Sequence, residues 1–189
     1  MADLIDPWAS FTLDYDKLVN QFGIGKISEI LNDIKNPQRL MQRGVIFGHR
    51  EFNEINNLIN QNKDFAVVTG MMPSGQMHIG HKMVVDQLKW YQDMGAMLSL
   101  PIADLEAYAA RDMSFEKGRE IAVNEYLTNW IALGLDLERD NVNVYLQSQN
   151  QQLQNLAFKA ANKTNFSQLK AIYGFENSTN IAHVQAPLF

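Results

Sequence analysis

The chain has 189 residues, of which 46% are hydrophobic and 20% charged, and its formal net charge is −5. That size and composition are typical of one globular domain with its own core, and they exclude a disordered or fibrous protein. The acidic balance excludes a protein that coats nucleic acid over its whole surface. Residues 34–50 and 141–175 contain bases and no acids, and each stretch suits either a solvated helix face or a phosphate contact.

The first sixty residues predict short helices and turns that form an appendage, with breaks at Phe22-Gly23, Asn36-Pro37 and Arg43-Gly44. The beginning of the chain lacks the basic segment and apolar stretch of a secretory signal. No apolar run is long enough to span a bilayer, so we expect no membrane partner. The chain has no cysteine, which excludes disulfides and thiolate metal sites, and a cytoplasmic location is the default expectation.

A strand, a helix and a second strand are predicted next. Phe65 to Thr69 is a short apolar run that ends at Gly70, the pattern of a strand buried on both faces of a parallel sheet. Residues 79–94 have helical periodicity, with Val84, Leu88 and Tyr91 on the apolar face and Gly95 as the stop. The apolar segment 97–103 completes the unit.

The rest of the chain continues the alternation of helices and strands. Ser114 is a predicted cap for a helix that runs to Leu133, with an apolar stripe of Val123, Leu127 and Trp130. Residues 142–146 predict a third strand, and helices are expected at about 149–162 and 165–173. The predicted fold class is therefore α/β with a parallel sheet.

The junction between the first strand and its helix carries the clearest chemical signal, Pro73-Ser74-Gly75-Gln76-Met77-His78-Ile79-Gly80-His81. A helix start offers unpaired N–H groups and a positive dipole end, and glycines let a polyanion approach the backbone. The two histidines, three residues apart, can donate hydrogen bonds to phosphate oxygens. No P-loop or GxGxxG pattern is present, so the junction predicts an HxGH nucleotide site.

Other interpretations of these residues remain open. The histidine pair could bind a metal, but no third ligand lies at a confirming spacing, and we predict no metal site. Lys82 either contacts the triphosphate or begins the polar face of the helix. Asp104 and Glu106 follow the second strand, where ligands bind in open α/β sheets, and they suit an α-ammonium group. Equally, Asp104 could be an acid that stabilises a helix N-terminus.

Taken together, these motifs resemble the class I aminoacyl-tRNA synthetases, and in particular the archaeal and eukaryotic tryptophanyl-tRNA synthetases. The resemblance covers essentially the whole chain. It rests, in chain order, on Asp6-Pro7-Trp8, Asp14-Tyr15-Asp16-Lys17-Leu18, Phe22-Gly23, Arg43-Gly44-Val45-Ile46-Phe47-Gly48-His49-Arg50, Thr69-Gly70, Pro73 to His81 and Ala171-Ile172-Tyr173-Gly174-Phe175.

The resemblance implies roles for individual residues. His78 and His81 are the catalytic pair, and ATP, with Mg²⁺, is the nucleotide substrate. The ATP-binding residues would be Thr69, Gly70, Ser74, His78, Gly80 and His81, and Lys82 is added to them from its position beside His81. Glu106 and Val68 would bind the amino acid, and Asp104 is added from its position after the second strand.

Tyrosyl-tRNA synthetase is the near neighbour of this family. Enzymes of that branch typically carry Tyr at the place of Val68 and His at the place of Glu106, and they lack the Asp6-Pro7-Trp8 segment. Eukaryotic tryptophanyl enzymes carry Tyr at the place of Val68 and Gln near Pro101, both lining the indole pocket. The resemblance therefore favours tryptophan and leaves the details of indole recognition open.

The resemblance also implies a domain organisation. Residues 1–62 would be a helical appendage, and residues 63–189 the first half of a Rossmann-like (HUP-type) catalytic domain with part of the connective insertion, at about 109–189. Implied partners are tryptophan, tRNA(Trp) through the complete enzyme, a second copy of the chain, and a C-terminal half supplied by another chain. Alternatives are a tyrosyl-tRNA synthetase, another HxGH nucleotidyltransferase, or an inactive or partner-dependent fragment.

Overall fold

A computed structural model describes residues 23–111, 113–176 and 178–189. The chain divides between Lys63 and Asp64 into two compact units. The predicted resemblance at Asp6-Pro7-Trp8, at residues 14–18 and at Phe22 lies outside the described residues. The described part of the first unit contains β1 (Gly25–Lys26), α1 (Ile27–Ile30), a 3₁₀ turn (Leu31–Asp33), α2 (Arg39–Gln42), β2 (Gly48–His49) and α3 (Phe52–Asn60).

The first unit is built from short elements around a small apolar core. Strands β1 and β2 pair antiparallel, with Gly25 opposite His49. Asn56 of α3 is buried and donates to the Asp33 carbonyl at 3.0 Å, which ties α3 to the 3₁₀ turn. The buried apolar side chains are Ile27, Ile34, Met41, Phe52 and Ile59.

The second unit alternates strands and helices. Its elements before residue 135 are β3 (Ala66–Val68), α4 (Ile79–Asp93), β4 (Met97–Ile102), α5 (Asp104–Arg111), α6 (Phe115–Ile121), a π-helical segment (Ala122–Leu127) and α7 (Thr128–Ala132). After it come β5 (Val142–Leu146), a 3₁₀ turn (Gln147–Gln149), α8 (Gln151–Ala161), α9 (Phe166–Tyr173), α10 (Ile181–Gln185) and a 3₁₀ turn (Ala186–Leu188).

A three-stranded parallel sheet organises this unit, in the order β3-β4-β5. Val67 is opposite Leu98, and Leu100 is opposite Val144. The central strand β4 is the apolar core, because Leu98, Leu100 and Ile102 are almost completely buried. The predicted α/β class with a parallel sheet is confirmed, and each predicted strand and helix in residues 64–175 is present within a few residues of its expected bounds.

The predicted burial of the first strand on both faces is wrong. Val68 is 70% exposed, and Ala66, which shares its side of the strand, is exposed as well. Strand β3 lies at one edge of the sheet formed by the described residues and pairs only with β4. With β4 as its one neighbour among the described residues, β3 lacks the cover that the apolar run predicted.

The buried faces of two helices also differ from the predicted stripes. Val85 and Leu88 form the core face of α4, whereas Val84 and Tyr91 are only half-buried. In the helix that follows Ser114, Val123 is 56% exposed. The buried residues there lie four apart: Gly118, Ala122, Tyr126 and Trp130.

The four-residue spacing has a geometric explanation. In an α-helix four residues exceed one turn by about 40°, so a stripe with this spacing drifts around the helix. A π-helical turn is wider and absorbs that drift. The π-helical segment lies in the middle of the stripe and keeps Gly118 and Trp130 on one side. A fixed period of 3.6 residues therefore identified Trp130 correctly but selected Val123 in place of Ala122 and Tyr126.

The C-terminal helices are short and well capped. Asn150, Asn165 and Asn180 each accept a backbone N–H with the side chain at the start of α8, α9 and α10. Gly174 ends α9 with φ at +69°. Among the residues that the structure describes, no helix has the length and apolar character needed to cross a membrane.

Candidate functional site

The HxGH turn lies between β3 and α4, at the carboxyl end of the sheet. Beyond β3 the chain stays beside β4: Met71 donates to the Pro101 carbonyl at 3.3 Å, and Ala103 donates to the Met71 carbonyl at 3.0 Å. Gly70 allows this approach, because an added Cβ would lie 2.5 Å from the Pro101 oxygen. Pro73 is fully buried and Ser74 is exposed, so the turn leaves the core between these two residues.

The backbone fixes the orientation of both histidines. The His78 Nδ1 accepts the Gly80 N–H at 3.2 Å, and the His81 Nδ1 accepts the His78 N–H at 3.2 Å. This reciprocal pair caps the start of α4 in the place where Ser and Glu usually form a capping box. An Nδ1 that accepts must be unprotonated, so each neutral ring carries its proton on Nε2.

The two Nε2–H groups are the donors that the turn offers to a ligand. In the described part of the chain neither Nε2 has a hydrogen-bond partner, and the two rings lie 3.9 Å apart between centroids at 30° to each other. His78 is exposed and His81 half-buried. Two neighbouring donors of this kind suit the oxygens of one phosphate chain.

Gly80 leaves room for the cap. A Cβ at this position would lie 3.0 Å from Cε1 and 3.1 Å from Nδ1 of His78, so the imidazole would have to move. The glycine between the two histidines thus permits the His78 ring to fold back over the first turn of α4. The geometry supplies a reason for the HxGH spacing that needs no ligand.

The electrostatics of the turn favour a neutral His81 ring. Burial, and then repulsion from His78, lower the pKa of His81 below its ordinary value. Lys82, the next residue, pairs with both oxygens of Asp86 at 2.7 and 2.6 Å along the outside of α4. Of its two predicted roles, the polar face of the helix is the one that these contacts support, and its role toward ATP stays a prediction.

The second predicted group lies in the first turn of α5. Asp104 is 1% exposed, and its carboxylate accepts the Ser148 N–H at 3.0 Å and the Ser148 hydroxyl. Arg119 of α6 donates to the same hydroxyl oxygen at 3.2 Å. Asp104 therefore joins the carboxyl end of β4 to the turn after β5. Glu106 is half-buried, and no hydrogen bond engages its carboxylate within the described residues.

Val68 and Thr69 immediately precede Gly70. Val68, at the end of the edge strand, is the more exposed of the two, and Thr69 donates through its backbone to the Ser99 carbonyl at 3.3 Å. The structure brings residues 68–71 together with the end of β4. It does not enclose Val68 in a pocket formed by the described residues.

Sequence reasoning missed three residues that support these groups: Ser148, Arg119 and Tyr126. Ser148 could have been expected, because it follows β5 just as Asp104 follows β4, and the carboxyl ends of neighbouring parallel strands meet. Tyr126 contacts the His81 ring edge-on, with 5.3 Å between centroids. The spacing of 118, 122, 126 and 130 was the only signal of its position.

Two cavities lie elsewhere in this unit. One of about 540 Å³ lies along β5, between Tyr145, Arg119 and the start of α8. The other, of about 570 Å³, lies between α5 and α10. Neither is lined by His78 or His81. The described residues contain no cluster of three His, Cys, Asp or Glu side chains suited to a metal ion.

Comparison with known proteins places this geometry in a family. Residues 60–189 match the family model described as tRNA synthetases class I (W and Y). The chain belongs to this family. The matched residues include the HxGH turn, Asp104, Glu106 and the helices up to the last residue, and the resemblance inferred from the motifs is confirmed.

Curated relatives support the tryptophan branch. Over 185 residues, covering 97% of this chain and 50% of the relative, the sequence is 53% identical to a tryptophan–tRNA ligase of Methanocaldococcus jannaschii. It is 44% identical over 188 residues to the tryptophan–tRNA ligase of Methanopyrus kandleri, covering 98% of this chain and half of that one. The chain thus spans about half the length of the curated relatives it matches.

Solved structures agree. The crystal structure of a tryptophanyl-tRNA synthetase from Aeropyrum pernix superimposes with a TM-score of 0.83 at 39% identity, covering 93% of this chain and 48% of that one. A tryptophanyl-tRNA synthetase from Encephalitozoon cuniculi, bound to tryptophan, gives a TM-score of 0.80 at 28% identity, covering 93% and 53%. These likenesses confirm the Rossmann-like fold.

Proposed function

We propose that the chain is the N-terminal half of a tryptophan–tRNA ligase and forms one side of its adenylate site. The observation that carries this proposal is the pair of free Nε2–H donors on His78 and His81, fixed by backbone hydrogen bonds at a helix start. The tryptophan name of the relatives supports the choice of amino acid. Residues outside these 189, or a partner chain, would complete the site.

In the proposed reaction a carboxylate oxygen of tryptophan attacks the α-phosphorus of ATP. The bond from that phosphorus to the bridging oxygen breaks, and pyrophosphate leaves, giving tryptophanyl-adenylate; the aminoacyl group then passes to tRNA(Trp). No covalent bond to the protein forms, so the protein acts by positioning and by stabilising charge. The His78 and His81 donors meet the negative charge that grows on the phosphate oxygens.

Further roles follow from position. Thr69, Gly70, Ser74 and Gly80 offer backbone or hydroxyl groups around the phosphates, and Lys82 would join them only by leaving Asp86. Glu106 would receive the α-ammonium of the amino acid beside Val68. Asp104 is predicted to take part as well, and its bonds to Ser148 favour an indirect part, in which it holds the start of α5.

We expect the Mg²⁺ ion to be bound by ATP. ATP reaches such enzymes with Mg²⁺, which keeps several waters and binds mainly through phosphate oxygens. The described residues, which lack a three-ligand cluster, fit a cation held by the triphosphate rather than by the protein. We propose that the organisation predicted for residues 1–62, 63–189 and about 109–189 applies to this chain. The expected cytoplasmic location stays a prediction.

We also propose that a second copy of the chain packs on the C-terminal helices. Helices α8, α9 and α10 each expose large apolar side chains, and an interface between chains would remove such side chains from water. They are Leu156, Phe158, Phe166, Ile172, Tyr173 and Ile181. Light scattering of the wild type and of Phe158→Ser tests this proposal: a dimer that the substitution dissociates supports it, and a wild-type monomer at 100 μM or so contradicts it.

The function is tested by amino-acid-dependent exchange of pyrophosphate into ATP. The longest natural protein that contains these residues is assayed with tryptophan, with tyrosine and with no amino acid. Exchange with tryptophan alone supports the proposal, exchange with tyrosine assigns the other branch of the family, and exchange without amino acid indicates another nucleotidyltransferase. The 189-residue chain is assayed in parallel for ATP binding, and full aminoacylation by it alone would contradict the half-site.

A further inference from the structure

One long helical stretch lies against the HxGH turn at both of its ends. Near the start of the turn, a Cβ on Gly118 of α6 would lie 3.9 Å from Cγ of Pro73, so the backbone of α6 is close to the buried proline. Two turns later Tyr126, in the π-helical segment, contacts the ring of His81. The turn is therefore supported by a helix that sequence motifs do not associate with it.

Tyr126 makes this contact from the core. Its exposed fraction is 0%, its ring is 65° to the imidazole of His81, and the centroids are 5.3 Å apart. The phenol oxygen is buried and has no hydrogen-bond partner in the described part of the chain. The contribution of Tyr126 to His81 must then come from the ring, as an edge-to-face aromatic contact, and not from the hydroxyl group.

Three contacts hold the imidazole of His81, and they leave Nε2–H available. The Nδ1 accepts from the His78 backbone, the His78 ring lies 3.9 Å away, and Tyr126 contacts the ring from the helix. The first two come from the turn itself, which is exposed at His78 and would allow the pair to move together. Of the three contacts, only the one from Tyr126 comes from a residue of the core. Tyr126 therefore fixes the position of the histidine pair relative to the core.

We propose that Tyr126 is a positioning residue that sets the direction of the His81 Nε2–H toward the phosphates of ATP. This inference rests on the proposed function for its ligand. The π-helical segment is part of the same device, since its wider turn keeps Tyr126 on the face that carries Gly118 and Trp130. Among the described residues, the titratable groups in contact with the His81 ring are His78 and Tyr126, while Lys82 is paired with Asp86.

The test combines nuclear magnetic resonance of the histidines with kinetics. In the wild type we expect cross-relaxation between ring protons of His81 and Tyr126. In Tyr126→Met, which fills similar space without a ring, we expect the pKa of His81 to rise toward its ordinary value, because an imidazole that the helix no longer holds is more exposed to water. We expect kcat of pyrophosphate exchange to fall by roughly 10-fold, because misdirected donors stabilise less charge, with a smaller change in KM for ATP.

Two variants serve as controls. Tyr126→Phe retains the ring. It should leave the pKa of His81 unchanged and keep kcat within about twofold, since the hydroxyl group has no partner. Trp130→Met removes an equally buried aromatic ring one turn further along the same helix. It should lower the melting temperature as much as Tyr126→Met does and leave the His81 titration unchanged.

The outcomes separate the two proposals. Absence of cross-relaxation in the wild type, or a folded Tyr126→Met with an unchanged His81 titration, overturns the role of Tyr126. An equal shift in Trp130→Met overturns it too, because the effect would then be general loss of packing. If the longest natural protein that contains these residues shows no tryptophan-dependent exchange, the proposed function fails, and the resonance data still decide whether Tyr126 orients His81.

Discussion

The turn after β3 and the helix start after β4 carry polar side chains at the same end of one sheet, but they use them differently. In the turn, His78 and His81 each use Nδ1 to accept a backbone N–H and keep Nε2 available for a ligand. At the start of α5, Asp104 gives both carboxylate oxygens to Ser148 and is buried. A polar residue at a strand end can thus bind a ligand or stabilise the fold. The number of its donor and acceptor atoms that have no partner within the protein distinguishes the two roles.

The histidines give the sharpest test of this difference. His78→Ala or His81→Ala should slow adenylate formation by roughly 100- to 1000-fold, because each removes a donor to the transition state. The free energy of unfolding should fall by only about 1 kcal/mol, the value of a helix cap. Single-turnover formation of adenylate and urea unfolding measure the two quantities.

His49→Ala is the matched control for those variants. The His49 Nδ1 also accepts a backbone N–H at a helix start, from Phe52 at 3.2 Å, but in the first unit. Its loss should lower stability to a similar extent and leave adenylate formation within about twofold. An equal slowing in His49→Ala would remove the case for a special role of the HxGH pair.

The two carboxylates should respond in opposite ways. Asp104→Ala should lower the free energy of unfolding by about 3 kcal/mol, because the Ser148 N–H and hydroxyl group lose a charged acceptor. Glu106→Ala should change it by about 0.5 kcal/mol or less. Tryptophan affinity, measured by calorimetry in the complete protein, should weaken about 10-fold or more in Glu106→Ala. Stability losses of equal size in both would erase the distinction.

Much of this fold was predictable because its signals are local. The alternation of apolar runs and helical periods predicts β3, α4, β4 and β5, and Ser114 and Gly95 mark helix ends as expected. The exposure of Val68 was not predictable, since it depends on which strands lie beside β3. The buried stripe of Gly118 and Tyr126 was missed because a π-helical segment changes the period.

The place of the candidate site in the fold was predicted to a similar degree. The strand, the turn and the helix that carry His78 and His81 lie where the motif placed them, because phosphate-type turns depend on residues close in sequence. The partner of Asp104 is 44 residues away along the chain, and only the pairing of β4 with β5 brings Ser148 to it. Long-range partners of this kind are invisible to a motif.

A pair of glycines sharpens the comparison further. Both lie near helix starts, and Ala normally gains about 0.5–1 kcal/mol over Gly in a helix. Gly118→Ala should show this gain, because the nearest heavy atoms would be 3.9 Å away. In Gly80→Ala the new Cβ meets the His78 ring, so we expect no gain in stability and a loss of about 10-fold in the rate of adenylate formation. Thermal unfolding and pyrophosphate exchange compare the two, and a full stability gain in Gly80→Ala with normal exchange would show that the His78 cap is dispensable.

The smallest expected effect is one of pH. The pKa of His81 is lowered by burial and by His78, so the folded state favours the neutral ring. The stability that its cap contributes is complete above the ordinary imidazole pKa of about 6.5 and is lost as pH falls through the lowered pKa. Proton titration of the His81 Cε1–H measures this pKa. In His78→Ala it should rise, and a fall or no change would contradict repulsion within the pair.

The free Nε2 and bound Nδ1 of each histidine have a consequence for substitution chemistry. The side-chain oxygen of Asn can replace Nδ1 of a histidine as an acceptor. The side-chain nitrogen of Gln can replace Nε2 as a donor. Asn at position 78 or 81 should therefore keep the helix cap and lose the donor, whereas Gln should keep a donor at nearly the right reach and lose the cap. The two tasks of one side chain become separable, and each can be restored without the other.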